Sequence, residues 1–346
     1  KRYNFYNPII FGNFIFKNVS ANAAYTIKVQ FVGKKTSSRV FVASANKTLD
    51  FILEDMELFL EPLEIRSIRT SERAPFTKTN ISKAEIEKMN LGQDIPFLLN
   101  QTPSVTVTSD AGNGIGYTGI RIRGSDASRV NVTLNGIPYN DAESQGTFFV
   151  NLPDFASSVN SIQIQRGAGT STNGAGAFGA TVNLGTNEFN DKAYAEINSS
   201  YGSFRTWKNT VKAGSGLLNE HFTIDARLSR INSDGYIDRA FSKLQSFYLS
   251  GAYINKKTSV RLNVFSGKEK TYQAWYGLPE NLLQENRTYN AAGTERPGEP
   301  YHNQTDNYQQ DHYQLFVNHA INSHWNFSLA TFLTRGKGFY EEYKAQ

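Results

Sequence analysis

From residue 190 onward the chain alternates apolar and polar positions over unusually long runs. Phe222, Ile224, Ala226 and Leu228 fall on one face of an extended segment, and Thr223, Asp225, Arg227 and Ser229 fall on the other. Trp325, Phe327, Leu329, Thr331 and Leu333 repeat the scheme against Asn326, Ser328 and Ala330. A period of two marks a strand with two unlike faces. Seven such strands are predicted near residues 193–203, 205–214, 220–231, 243–255, 257–267, 312–321 and 324–335. At about ten residues they exceed the roughly five or six of ordinary strands and suit a tilted crossing of a bilayer.

The connectors sort by side. If the first strand rises, the longer connectors at 232–242 and 268–311 fall on the outer side, and the turns at 215–218, 255–256 and 322–323 fall on the inner side. Short inner turns and long outer loops belong to outer-membrane barrels. Seven strands do not close an antiparallel barrel of even strand number, so an incomplete barrel is expected here.

Upstream the texture differs. Residues 13–53 alternate in short runs (Phe14/Phe16, Tyr25/Ile27/Val29/Phe31, Val40/Val42) separated by turn signals at 18–22 and 33–35, which reads as a small β-sandwich. Residues 61–78, with two prolines and scattered charges, read as a linker. Between 81 and 187 the pattern is mixed. Ser82-Lys83-Ala84-Glu85 is a capping box opening a helix over 83–89; a second helix fits 94–99, and strands fit 104–108, 129–134 and 161–165. Glycines crowd 112–124 and 167–185.

Composition narrows the options. Aromatics reach 13 % although the hydrophobic share is only 39 %, so the chain is folded rather than disordered. No run of about 18 apolar residues suggests a membrane helix. The absence of Cys (0) removes disulfides, thiolate metal sites and cysteine nucleophiles. Net charge +5 without a Lys/Arg run gives no nucleic-acid stripe. Lys1-Arg2-Tyr3-Asn4 lacks the apolar core of a signal peptide, so a mature chain or a fragment is expected.

Several chemical signals lack their context. Gly174, Gly176 and Gly179 spell a dinucleotide fingerprint, but a strand rather than a helix is expected after them. The histidines at 221, 302, 312, 319 and 324 show no ligand spacing on one helix, so no metal site and no cofactor are expected. Glu341-Glu342 and Asp141/Glu143 lack a positioned partner for acid–base work, so no enzyme is expected. Tyr272, Trp275, Tyr276, Tyr289, Tyr301 and Tyr308 are read as one aromatic cluster in the long outer loop, suited either to ligand contact or to packing of the loop on itself.

Specific motifs carry a family resemblance. Ile120-Arg121-Ile122-Arg123-Gly124, then Arg129-Val130-Asn131-Val132-Thr133-Leu134-Asn135-Gly136-Ile137-Pro138, resembles the plug signature of TonB-dependent outer-membrane receptors, with Asn135 for the commoner Asp. Ile162-Gln163-Ile164-Gln165-Arg166-Gly167 and the following Gly174-Ala175-Gly176-Ala177-Phe178-Gly179 are similar to the plug's closing block, with Ala168 for Pro and Asn173 for Tyr. Asp94-Ile95-Pro96-Phe97-Leu98-Leu99 resembles its opening. Upstream, residues 12–19 and 25–33 look like the second half of a carboxypeptidase-regulatory-like sandwich of Bacteroidetes receptors.

The resemblance implies a mainly β fold: a mixed α/β plug domain inside a transmembrane antiparallel β-barrel, here about seven strands of about 22, preceded by a partial β-sandwich module. The implied domains are 1–60 sandwich, 61–78 linker, 79–188 plug and 189–346 barrel strands. It also implies a TonB box at Leu63, Glu64, Ile65, Arg66, Ser67 and Ile68. TonB with ExbB and ExbD would energise uptake there, the barrel would lie in outer-membrane lipid, and the N-terminal module would sit in the periplasm. The cargo implied is a ferric siderophore or other iron complex, with iron only as part of that cargo. Oligosaccharide, peptide, haem or cobalamin, with a surface lipoprotein lid, is the rival within the family; an adhesin or assembly component is the rival outside it.

Ligand contact would fall on the plug apices, at Asn113, Tyr117, Ser125, Asp126, Tyr139, Asn140, Glu143 and Gln145. In the outer loop it would fall on Tyr272, Trp275, Tyr276, Tyr301 and His302. Structural plug roles fall to Gly124, Gly167, Gly174 and Gly179 for close packing, and to Arg121, Arg123 and Arg166 as clamps aimed at the barrel wall.

Overall fold

The computed structural model describes residues 20, 22–29, 37–42, 48–53, 77–169, 175–322 and 324–345. Two units separate along the chain, residues 1–58 and 59–346. In the first, β1 (Ala24–Val29) pairs antiparallel with β2 (Ser37–Val42). Tyr25 and Phe41, opposite each other in that register, set their rings 5.9 Å apart. The strand expected at Phe14/Phe16, the segment 63–68 and Gly174 lie outside the described residues.

In the second unit a small sheet runs β3 (Lys78–Ser82), β8 (Ser161–Arg166), β9 (Ala180–Gly185), β6 (Val130–Leu134), β7 (Ile137–Pro138), in that spatial order. The neighbours β6 and β9 run parallel, and the other pairs antiparallel. A separate hairpin joins β4 (Val105–Ser109) to β5 (Thr118–Ile122). The capping box forms as read. Glu85 accepts from the Ser82 amide at 2.8 Å and its hydroxyl at 2.7 Å, opening α1 (Lys83–Met89); α2 (Ile95–Leu98) follows with Pro96 in its first turn. Val130, Val132, Ile162, Ile164, Val182 and Leu184 are buried in the core of this unit. Each side chain so buried contributes roughly 1.5–3 kcal/mol.

Seven long strands form the second sheet, each antiparallel to the next: β10 (Tyr194–Gly202), β11 (Thr206–Gly214), β12 (Phe222–Ser233), β13 (Ser242–Ile254), β14 (Thr258–Tyr272), β15 (Thr305–Ala320) and β16 (Asn326–Glu341). The sheet is open, with β10 and β16 at its edges. Its polarity is inside-out. On β12, Leu228 is 66 % exposed while Arg227 beside it is 3 % exposed. Ile197, Val211, Leu249, Leu262 and Leu329 are likewise exposed, whereas Thr210, Ser250, Arg261 and Asn263 are buried. A water-soluble sheet would orient these faces the other way round. Apolar-out, polar-in alternation is what a strand facing lipid on one side and a filled lumen on the other requires.

Three strands outrun the reading from sequence, and the last of them, β16, continues past residue 335 to Glu341. The fifth and sixth were expected to leave residues 268–311 as a loop, but β14 continues to Tyr272 and β15 begins at Thr305. Lys268, Glu269 and Lys270 read as loop by charge, yet pair with Gln309, Tyr308 and Asn307 in regular register. Past the apolar band a barrel strand no longer needs an apolar face, so the alternation fades while the hydrogen bonding does not. Tyr272 and Tyr308 are therefore strand residues, and the outer loop is 273–304.

Candidate ligand site at the plug apex

The loop 110–117 leads from β4 to β5 and carries the plug up to the outer ends of the long strands. Gly112, Gly114 and Gly116 all have positive φ, a region open to glycine at little cost. Asp94, just before α2, holds the loop from beneath. Its amide donates to the Gly114 carbonyl at 2.9 Å, and its carboxylate accepts from the Thr118 hydroxyl at 2.9 Å. On the far side Asn113 Nδ2 donates to Ser233 Oγ of β12 at 2.7 Å.

Burial pushes the Asp94 carboxyl up to about 8, against smaller opposing contributions from the Thr118 hydroxyl and the Gly116 amide. A carboxyl raised above its ordinary 3.8 takes up a proton on folding. Its stabilising contribution is therefore fully present below about pH 4 and is lost as pH rises through about 8. Asp94→Asn keeps the shape without the charge. Thermal melts between pH 4 and 8 should show a flatter profile for the variant; an unchanged decline would contradict the assignment.

Tyr117 closes the apex. Its hydroxyl donates to Asp306 on β15 and lies 3.5 Å from Glu269 on β14. Burial, with Glu269 and Asp306 adding to it, raises the phenol above its usual range, so it stays a donor. Trp275, from the outer loop, meets the Tyr117 ring edge-on at 6.0 Å and the Tyr340 ring at 5.9 Å. Below this cluster lies a cavity of about 600 Å³ between the plug segment 134–148 and strands β14 to β16, within the usual range for a small-molecule site. Tyr139 reaches across it, its hydroxyl 3.2 Å from Gln310 Oε1. His312 stacks on Phe265 at 4.6 Å at its edge.

The structure brings together some of the residues named from sequence and not others. Tyr117, Tyr139, Asn140 and Glu143 line the cavity. Asn140 also fixes the chain there, accepting from the Val132 amide and donating to the Val130 carbonyl. Asn113 and Gln145 are outside the lining, Asn113 being engaged by Ser233 and Gln145 turned back to the Ala142 carbonyl. Ser125 and Asp126 sit at the opposite end of β6, where Asp126 binds Ser128 and Arg129. In the outer loop, Trp275 and Tyr276 are half-exposed at the apex. Tyr301 binds Glu341 at 2.8 Å and contacts the His302 ring at 5.4 Å. Tyr272 is a correction to the expected ligand contact: it is buried, and its hydroxyl donates to the Tyr301 carbonyl at 2.6 Å while Arg239 reaches it at 3.2 Å. It packs the loop on itself. Sequence reasoning named Tyr308 only within the aromatic cluster and passed over Glu269, Asp306 and Gln310, because in the segment it took for a loop it looked to the aromatic side chains.

Among the described residues the plug is fastened to the wall at a point the sequence reading did not name. Arg121 and Arg123 are exposed, and Arg166 donates within the plug, to the Pro103 carbonyl at 3.0 Å. Gly167 and Gly179 pack closely: a Cβ on Gly167 would lie 3.0 Å from the Arg123 guanidinium, and one on Gly179 2.7 Å from the Arg129 carbonyl. Gly124 has nothing within 4 Å of such a Cβ; its φ of +77° accounts for glycine there. The charged fastening is Asp154, with φ +51° at the head of a 3-10 turn. Lys208 Nζ lies 3.0 Å from its carboxylate, and the hydroxyls of Thr210, Ser229 and Ser157 donate to it at 2.5, 2.6 and 2.7 Å. Arg227 completes the set, 3.5 Å from the carboxylate and 2.7 Å from the Asp154 carbonyl. Burial alone would raise this carboxyl, but Arg227 and Lys208 outweigh it and hold the group at about 2.

The comparisons with known proteins agree with this geometry. Residues 70–181 match the family model of the TonB-dependent receptor plug domain. The fold resembles the ferric yersiniabactin uptake receptor FyuA of Yersinia pestis at TM-score 0.65 and 13 % identity, over 80 % of this chain and 43 % of that one. It resembles the open form of the ferric-catecholate import receptor Fiu of E. coli K12 at 0.59 and 18 %, over 77 % and 39 %. The siderophore receptor PirA of Acinetobacter baumannii gives 0.55 and 17 %, over 75 % and 40 %. The chain thus spans about two-fifths of the length of these structures, and none of the curated protein sequences matches it. A plug packed on the polar face of an inside-out antiparallel sheet accords with that match, and residues 70–181 carry the plug domain of TonB-dependent receptors.

Proposed function

We propose that the protein takes up a ferric siderophore or other iron complex across the bacterial outer membrane, driven by TonB with ExbB and ExbD. The observation that carries this reading is the cavity of about 600 Å³ at the outer end of the plug, walled by plug and strands together. A ligand there touches both bodies at once, so binding can bias the plug's position through differential contacts. The names of the structural neighbours, receptors for ferric yersiniabactin, ferric catecholates and siderophores, support an iron complex as cargo. In this reading residues 1–60 are a periplasmic module, 79–188 the plug and 189–346 the first barrel strands. TonB takes Leu63, Glu64, Ile65, Arg66, Ser67 and Ile68 by strand addition, in which backbone hydrogen bonds supply the affinity.

Proline lacks the amide that strand addition uses. Iron-starved cells carrying the receptor with Ile65→Pro and Ser67→Pro should lose uptake of labelled ferric siderophore while still binding it at the surface. Unchanged uptake would contradict the coupling segment, and uptake unaffected by deleting the receptor would contradict the iron cargo.

A further inference from the structure

In the cavity below the apex two carboxyls compete for one donor. Glu269 and Asp306 stand on neighbouring strands and share one hydroxyl, that of Tyr117. A phenol has one proton, and the geometry gives it to Asp306. Glu269 Oε1 is left 3.5 Å from the same oxygen, beyond useful hydrogen-bond range. Its other oxygen accepts from Thr271 at 3.3 Å. Yet Glu269 is only 2 % exposed, and a carboxylate so buried, held by one long hydrogen bond, is strongly disfavoured unless a cation joins it.

No Lys or Arg among the described residues answers this need. Asp141 and Glu143 add two more carboxyls to the lining, and among the described residues no Lys or Arg lines the cavity. None of the four carboxyls takes part in an ion pair among the described residues. Thr334 of β16 lines the cavity, so by strand alternation Arg335 and Lys337 point away from it. What surrounds the carboxyls is phenol: Tyr117, Tyr139, Tyr308 and Tyr340 all line the same space. Aromatic faces beside carboxylates make a site for a cation.

We propose that the cargo presents a cationic N–H group, an ammonium or a guanidinium, which binds between Glu269 and Asp306 against the tyrosine rings. An ammonium brings three donors and no acceptor, supplying what Glu269 lacks. A polyanionic chelate would bring like charge to a low-dielectric wall of carboxyls and is selected against. The inference rests on the reading of this cavity as the importer's ligand site and names the charge class of its cargo.

The test is binding to the intact purified receptor, followed by tryptophan fluorescence, with four probes. These are a ferric trihydroxamate with a free terminal ammonium, its N-acetylated neutral counterpart, a trianionic ferric tris-catecholate, and an iron-free polyamine. The ammonium form should bind at least about tenfold more tightly than the acetylated form, and the trianion most weakly. Glu269→Gln with Asp306→Asn should reduce that preference to less than about threefold. The comparison of the two trihydroxamates on unaltered receptor needs no variant to fold. Equal affinity for both, tightest binding of the trianion, or no binding of any cationic probe overturns the inference. If the polyamine binds and no ferric probe does, the charge class stands and the iron reading falls. If all three ferric probes bind alike, the iron reading stands and the charge class falls.

Discussion

Asp154→Ala is expected to destabilise the folded receptor by ~3–5 kcal/mol, the usual consequence of removing one partner from a buried ion pair. Lys208 and Arg227 are 2 % and 3 % exposed in side chain, and Asp154 is 0 % exposed. With the carboxylate gone, two cations stay buried against the plug with only carbonyl oxygens for company: those of Asn90, Pro153 and residue 154 itself. Three hydroxyls, of Thr210, Ser229 and Ser157, also lose their acceptor. Asp154→Asn retains much of the shape but not the charge and should fall between parent and alanine variant. Converting the whole cluster, Asp154→Leu with Lys208→Met and Arg227→Leu, should recover much of the loss, because buried ion pairs are weak stabilisers against apolar replacements. Thermal melts of purified receptor measure all three. An alanine variant within about 0.5 kcal/mol of the parent would mean that the cluster does not hold the plug. The pH dependence follows the same logic. A carboxyl held down at about 2 contributes stability that is present above about pH 4 and is lost as pH falls through about 2.

How much of this was legible beforehand depends on what a pattern can carry. The long strands are written in a period of two, and the wall formed where that alternation ran; it was missed only where the alternation stops. Lys268, Glu269 and Lys270 belong to β14 through hydrogen bonds to β15, and backbone pairing leaves no mark on side-chain polarity. That error hid the acidic half of the ligand cavity, since Glu269 and Asp306 were both assigned to a loop. The plug was legible through its motifs and its capping box, down to the short helix Lys83–Met89.

Asp154 was not legible as a fastening, because its partners come from strands 54 and 73 or more residues away. A signal was nevertheless present. Lys208, Thr210 and Lys212 alternate on one face of β11, and Arg227 and Ser229 do so on β12, with Thr210 opposite Ser229 in register. An inward cationic face of this kind calls for an anion on whatever packs against it. The arginines at 121 and 123, exposed among the described residues, show the same limit. Alternation says that their side chains share a face, but not which neighbour that face meets.

Pinning the apex to the wall should block transport outright. A Cβ built on Gly116 lies 3.7 Å from Ser242 Cβ on β13, inside the roughly 3.5–4.5 Å that a disulfide spans. The chain contains no cysteine (0) of its own to compete. Gly116 has φ +94°, so a side chain there is strained by ~1–2 kcal/mol; the reduced form of the same double variant controls for that strain. The measurement that tests the account most directly is therefore uptake of a labelled ferric trihydroxamate by iron-starved cells carrying Gly116→Cys with Ser242→Cys, oxidised and then reduced. If the plug must move against the wall to admit cargo, uptake stops in the oxidised receptor, returns on reduction, and surface binding persists in both. Uptake that continues at the parent rate with the cross-link fully formed would contradict a gating plug.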